Sequence, residues 1–413
     1  MKQSCCRFCS HPLTHSFCNL GKSPFSNSYL KKSELGGMEP FFPLHAYVCD
    51  QCFLVQLEEF QKPHDIFSDY AYFSSYSSSW LQHAKRYTEE MIGRFGFHSS
   101  HFVVEIASND GYLLQYFKEK NIPVLGVEPA ANVAKVAREK GVPSLIAFFG
   151  RETAEKMIAS GPKADLLIGN NVLAHVPDIN DFVSGLKVLL KDDGVITMEF
   201  PHLHRLMEEN QFDTIYHEHF SYLSFLAVEK IFAKHGLKVF DVQHLPTHGG
   251  SLRVFACHEE DTSKKIQGSV VELRAKEQAY GLESLSTYTS FERKVQKIKF
   301  DLLRELIRMK NEGKSIVAYG APAKGNTLLN YCGIKMEFLD YTVDLSPHKQ
   351  GLSLPGTHIP IYSPDKIRET KPDYILILPW NLKKEIIEQM SFVREWGAKW
   401  IVPIPQFAVI ENT

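Results

Sequence analysis

No stretch of this sequence stays apolar for long. No run approaches the ~18 residues that a membrane span needs, and the opening residues, MKQSCCRFCS, lack the apolar segment of a signal peptide. The expected location is therefore cytoplasmic, with no membrane contact. Charge of one sign is missing too. The 46 lysines and arginines face 48 aspartates and glutamates, for a net charge of −2, and the basic residues are spread along the chain. That gives no electrostatic case for nucleic acid as a partner. A G-x-G-x-x-G dinucleotide turn is also absent, which argues against an NAD-linked oxidoreductase. A chain of 413 residues is too long for one ordinary core, so two or three domains are expected. Nothing in it calls for more than a monomer.

The eight cysteines belong to a compartment where thiols stay reduced, which favours metal or free thiols over disulfides. Four of them are patterned. Cys6 and Cys9 form one C-x-x-C, and Cys49 and Cys52 form a second. Each pair can wrap a tight turn and present two thiolates to one cation, so the two pairs predict a closed tetrahedral zinc site. Cys5 could replace Cys6 only by breaking the spacing. A closed site leaves no open coordination position, so the zinc is expected to be structural. A ribbon of this size buries little core, and metal would supply its folding energy.

Beyond Lys62-Pro63 the pattern changes. From residue 102, short apolar strands alternate with amphipathic helices: FVVEIA (102–107), PVLGVEP (123–129), ADLLIGNNV (164–172) and GVITMEFP (194–201). This rhythm predicts a parallel, doubly wound sheet. LKVFDVQHL (237–245) and SLRVFACH (251–258) are joined only by PTHGG, so they must be antiparallel. Phe291, Val295, Ile298, Leu302 and Leu306 recur at helical spacing. A fresh α/β unit then opens at SIVAYG (315–320) and runs through FLDYTVD, DYILILPW and KWIVPIP. The expected fold class is α/β, in three blocks. These are a zinc-binding ribbon at 1–64, a Rossmann-like S-adenosylmethionine (SAM) methyltransferase domain at 65–285, and a smaller Rossmann-like domain at 286–413.

The donor assignment rests on EIASNDG (105–111), where the first strand turns into a helix. Gly111 permits a tight turn, and Asn109 or Asp110 can bond a ligand. Glu128 ends the next strand, where an acid accepts hydrogen bonds from ribose hydroxyls. NAD and SAM enzymes share that device, but Ala107, Asn109 and Gly111 make a poor pyrophosphate cradle. Glu105 just before the turn and the antiparallel strand pair also favour SAM. Asn170 and Asn171 end the third long strand, on the ligand side of such a sheet, with His175 one turn later.

The most polar cluster is YHEHFSY (216–222). A metal site on a helix needs histidines at i and i+4, whereas His217 and His219 are two apart. A hydrogen-bonded structural cluster and acid/base work beside the methyl donor stay open, and acid/base work fits the composition better. Histidine titrates nearest neutral pH, glutamate can orient it, and tyrosine can bond an oxygen that is becoming negative. Those parts suit carbanion formation, although O- and N-methyltransferases also use bases.

The paired C-x-x-C knuckles, DYAYFSS, EIASNDG, NNVLAHVPD, YHEHFSY, THGGSLR, GAPAKGNTLLNY and VDLSPHKQG occur in this order along essentially the whole chain. In this the chain resembles the sugar C-methyltransferase family, whose members methylate C-3 of nucleotide-linked 4-keto-deoxysugars. The resemblance implies zinc in the N-terminal block, SAM in the middle block and a nucleotide-sugar held against the C-terminal block. It implies that His219 is the general base, that Tyr216 and Glu218 surround the keto sugar, and that His175 assists. A tyrosine of DYAYFSS, Tyr70 in preference to Tyr72, would cover the donor, with Gly111 and Glu128 as donor turn and ribose acid. Lys324 and Asn326 fall in a Gly-rich turn suited to a diphosphate. Asp344, His348 and Lys349 lie where a base or ribose could bind, and His202, His248 and Arg253 could reach sugar or phosphate. The alternatives are a SAM enzyme acting on oxygen or nitrogen, and an NAD-linked sugar oxidoreductase.

Overall fold

The computed structural model describes residues 4–60, 62 and 73–411. Tyr70 and Tyr72 lie outside the described residues. The chain packs as two compact units, each assembled from separated runs rather than one consecutive block. The first takes the described residues up to Leu13, those from Cys49 to His202, and Phe220–Glu283. The second takes Thr14–Val48, Leu203–His219 and the described residues from Ser284 onward.

The first unit is built on a seven-stranded sheet. Its strand order is Leu237–Leu245, Ser251–His258, Leu190–Pro201, Ala164–Asn170, Val103–Ile106, Val124–Val127 and Ser144–Leu145. Neighbours are parallel from Leu190–Pro201 to the Ser144–Leu145 edge. The last two strands at the other edge are antiparallel, as the PTHGG link requires. Every residue of Ala164–Asn170 is buried, as expected of a strand covered on both faces. The pleat divides the core in two. Val104, Ile106, Leu167, Ile196 and Met198 pack on one face. Val103, Leu166, Ile168 and Val195 pack on the other, with Tyr87, Met91, Leu113 and Phe117. Local chemistry sets the helix starts. Ser77, Asp178 and Ser224 each accept a backbone N–H at the N-terminus of a helix, from Trp80, Asp181 and Ala227. The helix expected within SNDGYLLQYFKEK is only Leu114–Glu119, because the residues before it are spent on a tight turn.

The cysteine knuckles are not an isolated ribbon. Cys6, Phe8, Cys49, Cys52 and Leu54 share a continuous core with the sheet and with Phe225, Ala227 and Val228. Lys234 reaches over the ring of Phe8 and Lys230 over that of Phe53. Folding energy at the knuckles therefore comes from apolar burial as well as from any metal.

In the second unit the sheet order is Ile361–Tyr362, Thr342–Val343, Ile316–Tyr319, Tyr374–Ile377, Lys399–Val402 and Ala408–Ile410. All neighbours are parallel except the last pair. FLDYTVD yields only Thr342–Val343, since Phe338 and Leu339 close a turn on the Lys335 carbonyl. An antiparallel hairpin, His15–Ser23 with Phe42–Val48, joins this unit. It packs on the helix Phe291–Asn311, whose buried stripe comprises Phe291, Val295, Ile298, Leu302, Leu306 and Met309. Phe17 stacks on Phe291 with ring centroids 4.8 Å apart. Both rings are fully buried. Replacing Phe17 by alanine should cost about 3–5 kcal/mol, read as a lower urea midpoint with unchanged far-UV circular dichroism before the transition.

Candidate active site

The turn after Val103–Ile106 has an unusual backbone. Ala107, Asn109 and Gly111 all take left-handed φ values, 56°, 49° and 77°. For Ala107 that conformation costs about 1–2 kcal/mol, and such strain concentrates at ligand sites. Gly111 has a further reason to be glycine, since a Cβ there would lie 3.0 Å from Val142 Cγ2. The turn is gripped from the next strand. Glu128 accepts the Asn109 N–H at 3.0 Å on one oxygen and the Ala130 N–H at 2.9 Å on the other. Burial raises its carboxyl, and the two backbone N–H groups oppose the rise. A carboxylate offers about four acceptor positions, so two remain for a vicinal diol. The Asn109 side chain accepts the Ser74 N–H at 2.8 Å. Asp110 is taken by Lys140 at 2.8 Å.

Glu105 is wholly buried, with its two oxygens outside hydrogen-bond geometry to any of the described residues. Burial lifts its carboxyl well above the usual range, the Tyr112 hydroxyl nearby opposes the rise, and Glu128 and Asp110 add to it. Asn170 donates to the Tyr112 hydroxyl at 3.4 Å. Asn171, itself left-handed, donates to His248 Nε2 at 3.0 Å. His175 sits half-buried in the turn Leu173–His175.

Several residues here carried no sequence signal. Trp80 stacks on Tyr112 at 5.9 Å and on His83 at 4.9 Å. His83 Nε2 donates to Glu199 at 2.9 Å, and Arg253 and Thr247 donate to the same carboxylate at 3.0 and 2.9 Å. Burial alone would raise Glu199, but His83, Arg253 and Thr247 outweigh it and hold the carboxylate below its ordinary range. Arg253 is thus spent inside the sheet. So is His202, which donates to buried Glu277 at 2.6 Å while Glu277 also accepts the N–H groups of Phe225 and Leu226.

The four patterned cysteines converge. Their sulfurs lie within 4.8 Å of one another, with Cys6–Cys52 and Cys9–Cys49 at 3.5 Å. Tetrahedral zinc with Zn–S bonds of about 2.3 Å separates its sulfurs by roughly 3.8 Å, so the cage fits. The two knuckles are built alike. The residue after the second cysteine, Ser10 or Phe53, is left-handed and returns its N–H to the carbonyl of the first cysteine at 2.9 Å. Cys5 is exposed and outside the cage.

The second unit holds the 216–219 cluster. His219 is buried, and its Nδ1–H donates to the Thr214 carbonyl at 3.0 Å. That bond fixes the proton on Nδ1 and leaves Nε2 with its lone pair, which accepts the Tyr216 hydroxyl at 2.9 Å. His217 differs. Its Nε2 donates to the Pro43 carbonyl at 3.1 Å, its ring packs edge-on against Phe25 and Phe42, and burial lowers its pKa. It fastens the hairpin. Glu218 accepts Asn27 at 2.6 Å, and burial raises its carboxyl. Asp213, fully buried, accepts the Trp380 indole N–H at 2.7 Å.

The Rossmann-like sheet of this unit repeats the donor-turn device. Gly320, φ 91°, follows the first strand, and Asp344 at the end of the next accepts the Ala321 N–H at 2.7 Å. Lys349 and Tyr29 both donate to the Ala321 carbonyl, at 2.9 and 2.6 Å. Lys324, in the first turn of the helix Ala323–Cys332, bonds Asn381 at 3.0 Å and lies over the Trp380 ring. Asn326 is buried and donates to the Ser26 carbonyl at 2.5 Å. His348 is exposed.

A seven-stranded sheet of this order, with an acid at the end of its second strand gripping the first turn, defines the class: a SAM-dependent methyltransferase domain. Residues 80–242 match a methyltransferase domain family, residues 246–405 a C-methyltransferase C-terminal domain, and residues 6–67 a proposed zinc-binding domain. The chain is 37% identical to the C-methyltransferase NovU of Streptomyces niveus over 98% of this chain and 96% of that one. It is 26% identical to a ubiquinone biosynthesis O-methyltransferase of Bartonella bacilliformis, over 23% of this chain and 38% of that one. A possible histamine N-methyltransferase of Thermotoga maritima overlays 45% of this chain and 95% of its own at 20% identity and a TM-score of 0.35, too slight a likeness to build on. This chain belongs to the C-methyltransferase family and is a SAM-dependent C-methyltransferase. No described helix is long and apolar enough to cross a membrane.

One buried acid makes a pH prediction. Burial pushes Asp213 up to about 6 from 3.8, against the opposing pull of Lys324 and Trp380. The folded state therefore keeps a proton that the unfolded chain has already lost. Stability should fall as pH rises from about 4 to about 6, by up to roughly 3 kcal/mol. Asp213→Asn should flatten urea midpoints across that window; a slope equal to that of the wild type would mean another group is responsible.

Proposed function

We propose that the enzyme transfers the methyl group of SAM to C-3 of a nucleotide-linked 4-keto-deoxysugar through an enolate. The observation that carries this reading is the state of His219. In a C-methyltransferase the acceptor carbon must first lose a proton, and His219 is a buried imidazole whose Nδ1 is tied to a carbonyl and whose Nε2 meets a tyrosine hydroxyl. A 4-keto group acidifies the hydrogen at C-3. His219 takes that proton, directly or through the Tyr216 oxygen, and the keto oxygen becomes negative. A hydroxyl bonds such an oxygen well, and Tyr216 carries one, with Glu218, its carboxyl raised by burial, in the same cluster. SAM, when bound, supplies an electrophilic methyl group on a sulfonium.

Glu128 and the left-handed turn Ala107–Gly111 hold the donor, with Asn170, Asn171 and His175 on the same side of the sheet. Glu105, its carboxyl raised by burial, lies on the strand that leads into that turn. Tyr70 or Tyr72 covers the donor. Asp344, with the turn at Gly320, His348 and Lys349, takes the base or ribose of the nucleotide, while Lys324 brings positive charge for the diphosphate. Asn326, His202 and Arg253 serve as frame, and His248 orients Asn171. Four cysteines, Cys6, Cys9, Cys49 and Cys52, hold structural zinc. Cys52 is pushed well up by Cys49 and Cys6 beside it, which only a cation can reverse when all four must ionise.

His219→Ala should lower turnover by roughly 10²–10⁴-fold while SAM titrates calorimetrically as in the wild type. Incubating nucleotide-linked 4-keto-deoxysugars with enzyme in heavy water isolates the base. The wild type should wash out the C-3 hydrogen by NMR, and the variant should not. Undiminished wash-out by the variant sinks the assignment. The metal is tested separately. Elemental analysis should find zinc at unit stoichiometry, and stripping it with a chelator should lower the melting temperature with SAM affinity kept.

A further inference from the structure

The residue following His219 is held with unusual completeness. The Phe220 N–H donates to the Ala174 carbonyl at 2.8 Å, and its own carbonyl accepts the Leu57 N–H at 3.1 Å. Ser221 and Tyr222 then pair antiparallel with Gln56 and Val55. The strand doing this, Val55–Leu57, begins three residues after Cys52. The Cys49 N–H donates to Leu54 at 3.1 Å, which closes the second knuckle against the start of that strand.

The first knuckle reaches the same place through a side chain. Arg7, between Cys6 and Cys9, donates to the Leu57 carbonyl at 2.5 Å and the Pro177 carbonyl at 2.7 Å. Its guanidinium lies over the Phe220 ring, 5.4 Å from the centroid. Only a planar fork can give two in-plane N–H groups to two carbonyls while its face covers a ring; a lysine ammonium cannot do all three. Gln56 completes the link. It is 1% exposed, its Nε2 donates to Cys6 Sγ at 3.2 Å, and its Oε1 accepts the Arg7 N–H at 2.9 Å. Its backbone meanwhile stands opposite Ser221. One amide thus touches a cage sulfur, the knuckle backbone and the strand paired to 221–222.

We propose that Arg7 and Gln56 are positioning residues that tie the four-cysteine cage to Phe220 and so hold His219 in register for proton removal. The inference rests on reading His219 as the base. It gives the metal site a second task beyond stabilising the fold: the cage is the fixed point from which the base-bearing segment is set.

The test uses full-length enzyme carrying Arg7→Met, Arg7→Lys or Gln56→Met, with His219→Ala as control. Zinc content and SAM affinity should match the wild type in all three, because neither residue is a ligand of either. Amide hydrogen exchange over 219–222, read by mass spectrometry, should quicken about tenfold or more in Arg7→Met and Gln56→Met. Modification of His219 by diethyl pyrocarbonate, mapped to the residue, should quicken with it. With the sugar nucleotide that the wild type methylates, kcat should fall roughly tenfold to a hundredfold with KM little changed. Arg7→Lys should recover part of each. Unchanged exchange and modification in both methionine variants, with zinc in place, overturns the tether. Loss of zinc from both does so too, since they would then be parts of the cage alone. If His219→Ala keeps wild-type turnover, the base assignment fails, yet the exchange and modification data still decide whether the tether exists.

Discussion

One backbone carbonyl sets the proton arrangement of the polar cluster at 216–219. By accepting the Nδ1–H of His219, Thr214 fixes which ring nitrogen carries the proton. Were the tautomer reversed, Nε2 would be a donor facing a tyrosine hydroxyl, and no basic lone pair would remain on that side of the ring. The neighbouring histidine shows that the distinction is not a general property of the motif. His217 turns its Nε2 to a carbonyl instead, and so becomes a clamp on the hairpin. Two histidines two residues apart, both buried, are assigned opposite duties by which nitrogen meets a carbonyl.

The two α/β sheets solve a common problem in a common way. Each turns tightly after a strand, and each secures that turn with an acid from the end of the following strand: Glu128 to the Asn109 N–H, Asp344 to the Ala321 N–H. Such a carboxylate has acceptor positions left over, so one residue can brace the turn and still receive a diol. The cost appears in the backbone. Ala107 takes a left-handed conformation that glycine would take without penalty, and the Glu128 bond two residues on is one of the contacts that hold the turn there.

Much of this was legible in the sequence because the signals are local. C-x-x-C spacing is a property of one turn, so the cage could be read from four letters and their intervals. Apolar runs of strand length separated by amphipathic helices revealed both sheets, and a five-residue link forced the antiparallel pair. What escaped depends on long-range packing. Nothing near residue 20 says that the hairpin of His15–Ser23 and Phe42–Val48 packs against Phe291, far along the chain. Asn326 sits where a phosphate ligand belongs in a Gly-rich turn, yet its amide is spent on Ser26, some three hundred residues away in sequence. Trp80, His83 and Glu199 come from a helix and a strand more than a hundred residues apart, and neither segment carries a motif. At Ala107 the backbone takes a glycine-like geometry that was not legible, because conformation is not visible in an alanine.

Burial shifts the acids of the unit that holds His219. Glu218 and Asp213 are both displaced toward the protonated form, chiefly by burial, while each still accepts a hydrogen bond, from Asn27 and from Trp380. An ionised carboxylate opposes formation of an oxyanion close by, and a low-dielectric setting enlarges that opposition. At His219 the hydrogen-bond geometry sets which nitrogen faces the Tyr216 hydroxyl. On the proposed reading, proton removal to give an anionic acceptor needs a lone pair on the base and few ionised carboxylates close by. The tautomer of His219 comes from a backbone carbonyl and the raised carboxyl of Glu218 from burial, so what the polar cluster can do depends on the fold around it more than on the seven residues that first draw the eye.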